Sequence, residues 1–236
     1  MHAVILAGGK GSRLRPFTFT IPKPLVPIGD IPIIELLIRQ LSVQGFTRAT
    51  ISVGHLAGLI QSFCGDGTRW GIPIDYVYED EPLGTVGSLA LIDRFDDDRV
   101  LVVNGDTLTD MSFADAYRGH SSADAATICA STRTVAIDFG ILSVDDEATL
   151  SGYAEKPTLE YLVSMGTNVL NVDAVRRHLE RGERLDMPEL IDRFRRSGER
   201  VRVHQPDAFW LDLGRLDDLE EGTRIFTADP QRFLRP

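Results

Sequence analysis

Short apolar runs alternate with helical periodicity through the first half of this chain, and that alternation leaves few folds open. Residues 4–7, 49–53, 74–78 and 100–103 read as strands, and residues 33–43, 56–63 and 86–92 as helices between them. In the first helix Ile34, Leu37, Ile38 and Leu41 share one face, with Pro32 near the start and Gly45 at the stop. Continuously apolar strands separated by helices predict a mostly parallel sheet covered on both faces. Ligands of such sheets bind beyond the carboxyl ends of the strands. A further strand is expected at 125–131, and then the pattern changes. Residues 139–144, 150–154 and 161–170 read as successive strands of a more antiparallel kind. Helices are expected at 172–180 and 189–196, a short strand at 201–204 and a last helix at 216–226. The pattern is that of one α/β domain over residues 1–236, its second half a β-rich addition to the first.

Charge separates the function classes. The chain carries 25 basic and 35 acidic residues, a net charge of −10, which speaks against a whole-surface nucleic-acid binder. Residues 1–29 nevertheless contain no Asp or Glu, and they hold Lys10, Arg13, Arg15 and Lys23. A basic, glycine-rich segment in an acidic chain is how a local site for a small polyanion is built. Lysine is rare: Lys10, Lys23 and Lys156 stand against twenty-two arginines. These three are expected where a compact ammonium does what a guanidinium fork cannot. No apolar run approaches a membrane span, and the start does not read as a signal peptide. Two cysteines, Cys64 and Cys129, make no disulfide framework. A cytoplasmic location is expected.

The chemistry-bearing residues begin at Leu6-Ala-Gly-Gly-Lys-Gly-Ser-Arg-Leu-Arg-Pro16, directly after the first strand. Its glycines let backbone amides turn toward an anion, and Lys10 and Arg13 add charge. The spacing is neither that of a P-loop nor that of a dinucleotide fingerprint. In Pro22-Lys23-Pro24 the prolines are expected to hold an extended backbone and fix the lysine beside the loop. Asn104-Gly105-Asp106 ends the buried strand at 100–103, where a carboxylate faces the ligand crevice and suits Mg²⁺, which takes few protein carboxylates and completes its shell with phosphate and water. Asp212, in Trp210-Leu-Asp-Leu-Gly214, sits between apolar residues and needs a polar partner; a metal shared with Asp106 would serve. Glu79 ends a strand, and Glu81-Pro-Leu-Gly-Thr-Val-Gly87 offers backbone on which a flat ring could lie. The five histidines have no zinc spacing. No Ser, Cys or His is set up for a covalent route.

Taken in order, these segments resemble the signature of the sugar-1-phosphate nucleotidyltransferases. The match runs from Leu6-Ala-Gly-Gly through Arg13-Leu14 and Pro22-Lys-Pro24 to Leu83-Gly-Thr85, Asn104-Gly-Asp106, Glu155-Lys-Pro157 and Trp210-x-Asp-x-Gly214. All three lysines fall inside it. The resemblance implies a Rossmann-like nucleotidyltransferase fold, with a mixed, mostly parallel sheet flanked by helices. It implies a nucleotide-binding half (1–120) and a sugar-phosphate-binding half (121–236), with no C-terminal β-helix domain. The implied reaction joins a nucleoside triphosphate to a sugar 1-phosphate with Mg²⁺, releasing pyrophosphate; a homodimer is a further expectation. By similarity Arg13 and Lys23 are catalytic. Leu6, Ala7, Gly8, Gly9, Lys10, Gly11, Ser12, Glu79, Gly84 and Thr85 bind nucleotide. Gly105, Gly140, Glu155, Lys156 and Asn168 bind the sugar phosphate, and Asp106 and Asp212 hold the metal. One departure stands out: Ser164-Met-Gly-Thr-Asn168 replaces the family's Asn-x-Gly-Ile-Tyr, which points to a more polar or unusual sugar. Glu79 stands where uridylyl- and thymidylyltransferases carry Gln. A carboxylate only accepts hydrogen bonds, which suits the adjacent donors of guanine, so GTP is favoured over UTP, dTTP, ATP and CTP. A silent nucleotide-sugar sensor and a glycosyltransferase are the competing classes.

Overall fold

The four apolar runs of the first half assemble side by side in a computed structural model that describes residues 1–235. In chain order the elements are β1 (His2–Ala7), β2 (Pro27–Ile28), β3 (Ile31–Pro32), α1 (Ile33–Val43), β4 (Arg48–Val53), α2 (Ala57–Cys64), β5 (Ile74–Tyr78), β6 (Arg99–Asn104), β7 (Thr107–Thr109), α3 (Phe113–Gly119), β8 (Ala126–Ala136), β9 (Ile141–Val144), β10 (Leu150–Ala154), β11 (Thr158–Asn171), α4 (Val172–His178), α5 (Met187–Arg196), β12 (Val201–His204), β13 (Trp210–Asp212) and α6 (Leu216–Ala228). The main sheet has seven strands in the order β12-β8-β11-β6-β1-β4-β5. β6, β1, β4 and β5 run parallel, while β11 lies antiparallel between β6 and β8. The sheet is therefore mixed and mostly parallel, as the alternation and its later change of character predict.

Side-chain alternation along the strands divides the core between the two faces. On β1, Ala3, Ile5 and Ala7 pack with Ile34, Leu37, Ile38 and Leu41 of α1, whereas Val4 packs with Val175, Leu190 and Phe194 of α4 and α5. Each large aliphatic side chain buried this way contributes about 1.5–3 kcal/mol, so both faces anchor the strand ends that carry the site. A third cluster joins Ile28, Leu36, Leu108 and Leu213 to Phe226 of α6. It fixes the short β13–β7 pair against the body of the fold.

Three local expectations are corrected. Residues 86–92 do not form an α-helix; Gly87–Leu91 is a 3-10 turn, packed so close at Gly87 that an added Cβ would lie 2.4 Å from the Glu183 carbonyl. Pro22 is extended, but Lys23–Leu25 turns into a 3-10 segment, its first bond running from the Leu25 N–H to the Pro22 carbonyl at 2.8 Å. The helix Phe113–Gly119 escaped the periodicity reading because it is short and starts on a Ser112 cap, whose hydroxyl accepts from the Asp115 N–H at 3.1 Å. No helix among the described residues is long and apolar enough to cross a membrane.

Candidate active site

The loop that leaves β1 stands over the carboxyl ends of β1 and β6. Gly11 takes a left-handed backbone (φ 58°) that opens a 3-10 turn at Ser12–Leu14. A Cβ there would lie 3.0 Å from the Lys23 Cβ, so glycine is what lets the loop pack on the Lys23 stem. Thr18 donates its hydroxyl to the Gly11 carbonyl at 2.7 Å and holds the turn. Gly105 donates its N–H to the Leu6 carbonyl at 2.9 Å, which ties the end of β6 to the start of the loop.

Two carboxylates meet beneath it. Thr107 pairs with Asp212 across the β7–β13 ladder, and the Leu213 N–H bonds the Asp106 carbonyl at 3.0 Å. This register sets Asp212 beside Asp106. Burial, and then the neighbouring Asp106 charge, push Asp212 above the usual carboxylate range, against the pull of Lys23 and Arg13. Lys23 forms an ion pair with Asp106. A half-buried Asp212 whose proton affinity is raised beside the Asp106 carboxylate calls for a cation. Two carboxylates open toward a phosphate-sized cleft fit Mg²⁺, which takes one or two protein ligands and fills its shell from phosphates and water. Among the described residues no group of three or more His, Cys, Asp or Glu gathers into a metal cage.

Two cavities adjoin this centre. The first, about 410 Å³, is lined by Leu6, Ala7, Gly8, Gly9, Gly11, Ser12, Arg13, Lys23, Glu79, Gly84 and Thr85, together with Gly105, Asp106, Arg184 and Asp186. The second, about 560 Å³, is walled by Ile128, Met165, Met187, Ile191 and Trp210, with Asn168, Ser164 and Asp212 as polar groups. Arg13, Thr85, Asn104 and Asp106 line both. In the first cavity the Glu79 carboxylate accepts from Ser52 Oγ at 2.7 Å and from the Leu83 N–H at 3.0 Å. Each oxygen keeps a free lone pair. Gly8 admits it: a Cβ at Gly8 would lie 2.5 Å from Glu79 Oε1.

The second cavity depends on a β-bulge. The β8–β11 register shifts between Ser164 and Asn168, and Gly166 takes φ 67°, which turns this stretch out of the ladder. Trp210 donates its indole N–H to the Met165 carbonyl at 2.8 Å, closing the wall. Asn168 is 3% exposed, and its Oδ1 has no hydrogen-bond partner.

Not every expected residue joins the centre. Lys10 is exposed and lines neither cavity, and Gly105 lines the first cavity rather than the second. Gly140, Glu155 and Lys156 are brought together at the base of the β9–β10 hairpin, exposed and outside both linings. There Tyr153 donates its hydroxyl to Glu155 at 2.9 Å. Sequence reasoning missed Arg184, Asp186 and Ser52. Asp186 had a readable signal, since Asp-x-x-Glu before an apolar helix is a capping box; the Asp186 N–H bonds Glu189 Oε2 at 3.1 Å. Asp186 also accepts from the Thr85 N–H at 2.9 Å, and Thr85 Oγ1 accepts from the Met187 N–H at 2.7 Å. Thr85 thus joins residues 83–86 to α5, whose Met187 and Ile191 wall the second cavity. Arg184 and Ser52 carried no local signal. Cys64 and Cys129 are buried, and burial pushes both thiols up to about 12, away from any nucleophilic role.

Two cavities that meet at Arg13 and Asp106 are arranged to hold two ligands side by side. The nucleotidyl transferase family model matches residues 2–228, so this chain belongs to that family. It is 33% identical over 95% of its length to a UTP–glucose-1-phosphate uridylyltransferase from Synechocystis sp.. It is 28% identical over its whole length to a mannose-1-phosphate guanylyltransferase from Mycobacterium tuberculosis. The chain spans 63% and 66% of those two proteins. HddC from Yersinia pseudotuberculosis, complexed with GMP-PN, shares the fold, with TM-score 0.74 and 22% identity over 95% of this chain and 99% of that one.

Proposed function

We propose that this chain transfers a nucleotidyl group from a nucleoside triphosphate, GTP favoured, to a sugar 1-phosphate, a hexose or a heptose. A sugar-phosphate oxygen attacks the α-phosphorus, the bond between the α-phosphorus and its bridging oxygen breaks, and pyrophosphate leaves. The observation that carries this reading is the shared boundary of the two cavities at Arg13 and Asp106. Such a reaction needs two anionic reactants held in line and their charge stabilised, with little proton chemistry. The loop at Gly8–Arg13 offers backbone amides to the triphosphate. Arg13 reaches both reactants, and Lys23 adds a second cation at the back of the loop. Asp106 and Asp212 would hold Mg²⁺, which when bound would neutralise phosphate charge and polarise the α-phosphorus. Asn168 and Ser164 would read sugar hydroxyls in a pocket whose other walls are apolar, while Glu155, Lys156 and Gly140 would meet the sugar phosphate from the hairpin base. A cytoplasmic setting, where nucleoside triphosphates are abundant, goes with this reading.

The base follows from Glu79. Its oxygens already satisfy Ser52 and Leu83, so the remaining lone pairs can accept only from donors, and guanine presents two side by side. A second reading keeps the reaction and changes the base; the 33% identity to a uridylyltransferase favours it. The test is pyrophosphate release with Mg²⁺, crossing GTP, UTP, dTTP, ATP and CTP with a panel of hexose and heptose 1-phosphates. Release with GTP and one sugar supports the full proposal. Release with another nucleotide retains the reaction and removes the argument from Glu79. No release from folded, nucleotide-binding protein favours the silent sensor.

A further inference from the structure

We propose that Arg184 reads the nucleobase, its guanidinium donating to the acceptor edge of the base whose donor edge Glu79 accepts, a role that rests on the guanine reading under Proposed function. One residue, Leu83, links the two charges. Its N–H donates to Glu79 Oε2 at 3.0 Å, and its carbonyl accepts from the Leu185 N–H at 3.0 Å. The Val86 N–H returns to the Leu185 carbonyl at 3.1 Å. Gly84 permits this close pairing, since it takes φ 77° and a Cβ there would overlap the Leu185 carbonyl oxygen. Leu185 buries its side chain in the core beneath. Its neighbour Arg184 lines the first cavity, with Glu79, Pro82, Gly84 and Thr85.

Position and charge select what Arg184 meets. Arg184 and Glu79 line the first cavity and not the second, whereas Arg13 and Asp106 line both. Arg184 therefore stands with the base-side residues, away from the boundary assigned to the reacting phosphates. Nearby arginines are engaged: Arg181 pairs with Asp93 at 2.9 Å, and Arg193 pairs with Glu183. Arg184 has no ion pair among the described residues, and Asp186 in the same lining accepts from the Thr85 N–H instead. An exposed guanidinium fork at the rim matches two acceptors side by side. Guanine offers O6 and N7 to such a fork, while its N1–H and 2-amino donors face a carboxylate. Adenine puts an amino donor where guanine has O6, and a guanidinium cannot accept from it.

The test is isothermal calorimetry of nucleotide binding, with GTP, GMP, UTP and 7-deaza-GTP, which lacks the N7 acceptor. The wild-type protein should bind GTP in preference to UTP, and 7-deaza-GTP about tenfold more weakly than GTP. Arg184→Met should weaken GTP and GMP by the same factor, about 5- to 150-fold, and bind GTP and 7-deaza-GTP alike, with unchanged circular dichroism. Arg184→Lys keeps the charge without the fork and should not restore the preference for GTP over 7-deaza-GTP. A wild-type preference for UTP would remove the guanine reading, and this role with it. With GTP preferred, three results would overturn the role of Arg184 alone: wild-type binding indifferent to N7, GTP affinity unchanged in Arg184→Met, or a loss seen with GTP and not with GMP, which would put Arg184 on the phosphates.

Discussion

Asn168 lets function be separated from stability in one substitution. Its amide is buried on β11, lines the second cavity and leaves Oδ1 without a donor. An unsatisfied buried acceptor costs about 1–3 kcal/mol, and an apolar group of the same shape removes that cost. Asn168→Leu should therefore stabilise the protein by about 1 kcal/mol, a rise of roughly 2–4 °C in Tm for a chain of this size. If Oδ1 accepts from a sugar hydroxyl, the same change removes about 1–3 kcal/mol of substrate interaction, a roughly 5- to 150-fold loss in kcat/KM. The loss should fall on the sugar 1-phosphate and leave the nucleotide KM unchanged. Thermal unfolding and pyrophosphate release, with each substrate varied in turn, measure both effects. Thr167 is the control: its hydroxyl is equally buried and unpartnered, but it does not line the cavity. Thr167→Val should stabilise and leave both KM values alone. A destabilised Asn168→Leu with wild-type sugar kinetics would refute the reasoning and make Asn168 a structural residue.

Other perturbations test other links. Lys23→Met should lower kcat by about 10²–10³, the usual cost of removing one charge-stabilising donor, while the fold persists; a kcat within threefold of wild type would remove Lys23 from the machinery. His2 is buried against Phe95, with Nε2 on Thr50 at 2.8 Å and Nδ1 unpartnered, and burial, then the nearby Arg48, lowers its pKa from 6.5 to about 4. The folded state thus favours the neutral ring, so stability is complete above pH 6.5 and falls as pH drops toward 4, by about 3 kcal/mol in all. His2→Leu should lack that component in urea titrations at stepped pH, and parallel slopes for the two proteins would contradict it. Thr85→Val removes the acceptor of the Met187 N–H and should cost about 1 kcal/mol, read as a lower urea midpoint with unchanged slope.

Much of the architecture was legible because strands buried on both faces are largely apolar: β1 and β6 are so along residues 3–7 and 100–103, although β4 also buries Thr50 and Ser52 and the edge strand β5 is partly exposed. The loop at Gly8–Arg13 was legible for a related reason: a backbone that approaches an anion needs glycine, and glycine is visible. What the sequence hid was distance. The capping box marks Asp186 as the start of α5, but nothing near it states that it also accepts from Thr85, a hundred and one positions away. Nothing near Ser52 states that it will meet Glu79. Such contacts follow from strand order, and strand order is set by packing across the sheet. The short turns failed for a different reason. At Gly87 and Lys23 close contact and proline geometry override the local propensity on which periodicity reasoning depends.

The placement of the charged residues follows from the same topology. Arg13 comes from the loop after β1, Lys23 from the turn before β2, Asp106 from the end of β6 and Asp212 from β13. Spreading them over four segments lets the sheet, rather than the side chains, set the spacing. Lys23 pairs with Asp106, and burial beside Asp106 raises the proton affinity of Asp212. Adding Mg²⁺ should therefore raise the thermal stability of the wild-type protein and not that of Asp106→Asn, whatever the substrate. A shift of equal size in both would locate the ion elsewhere.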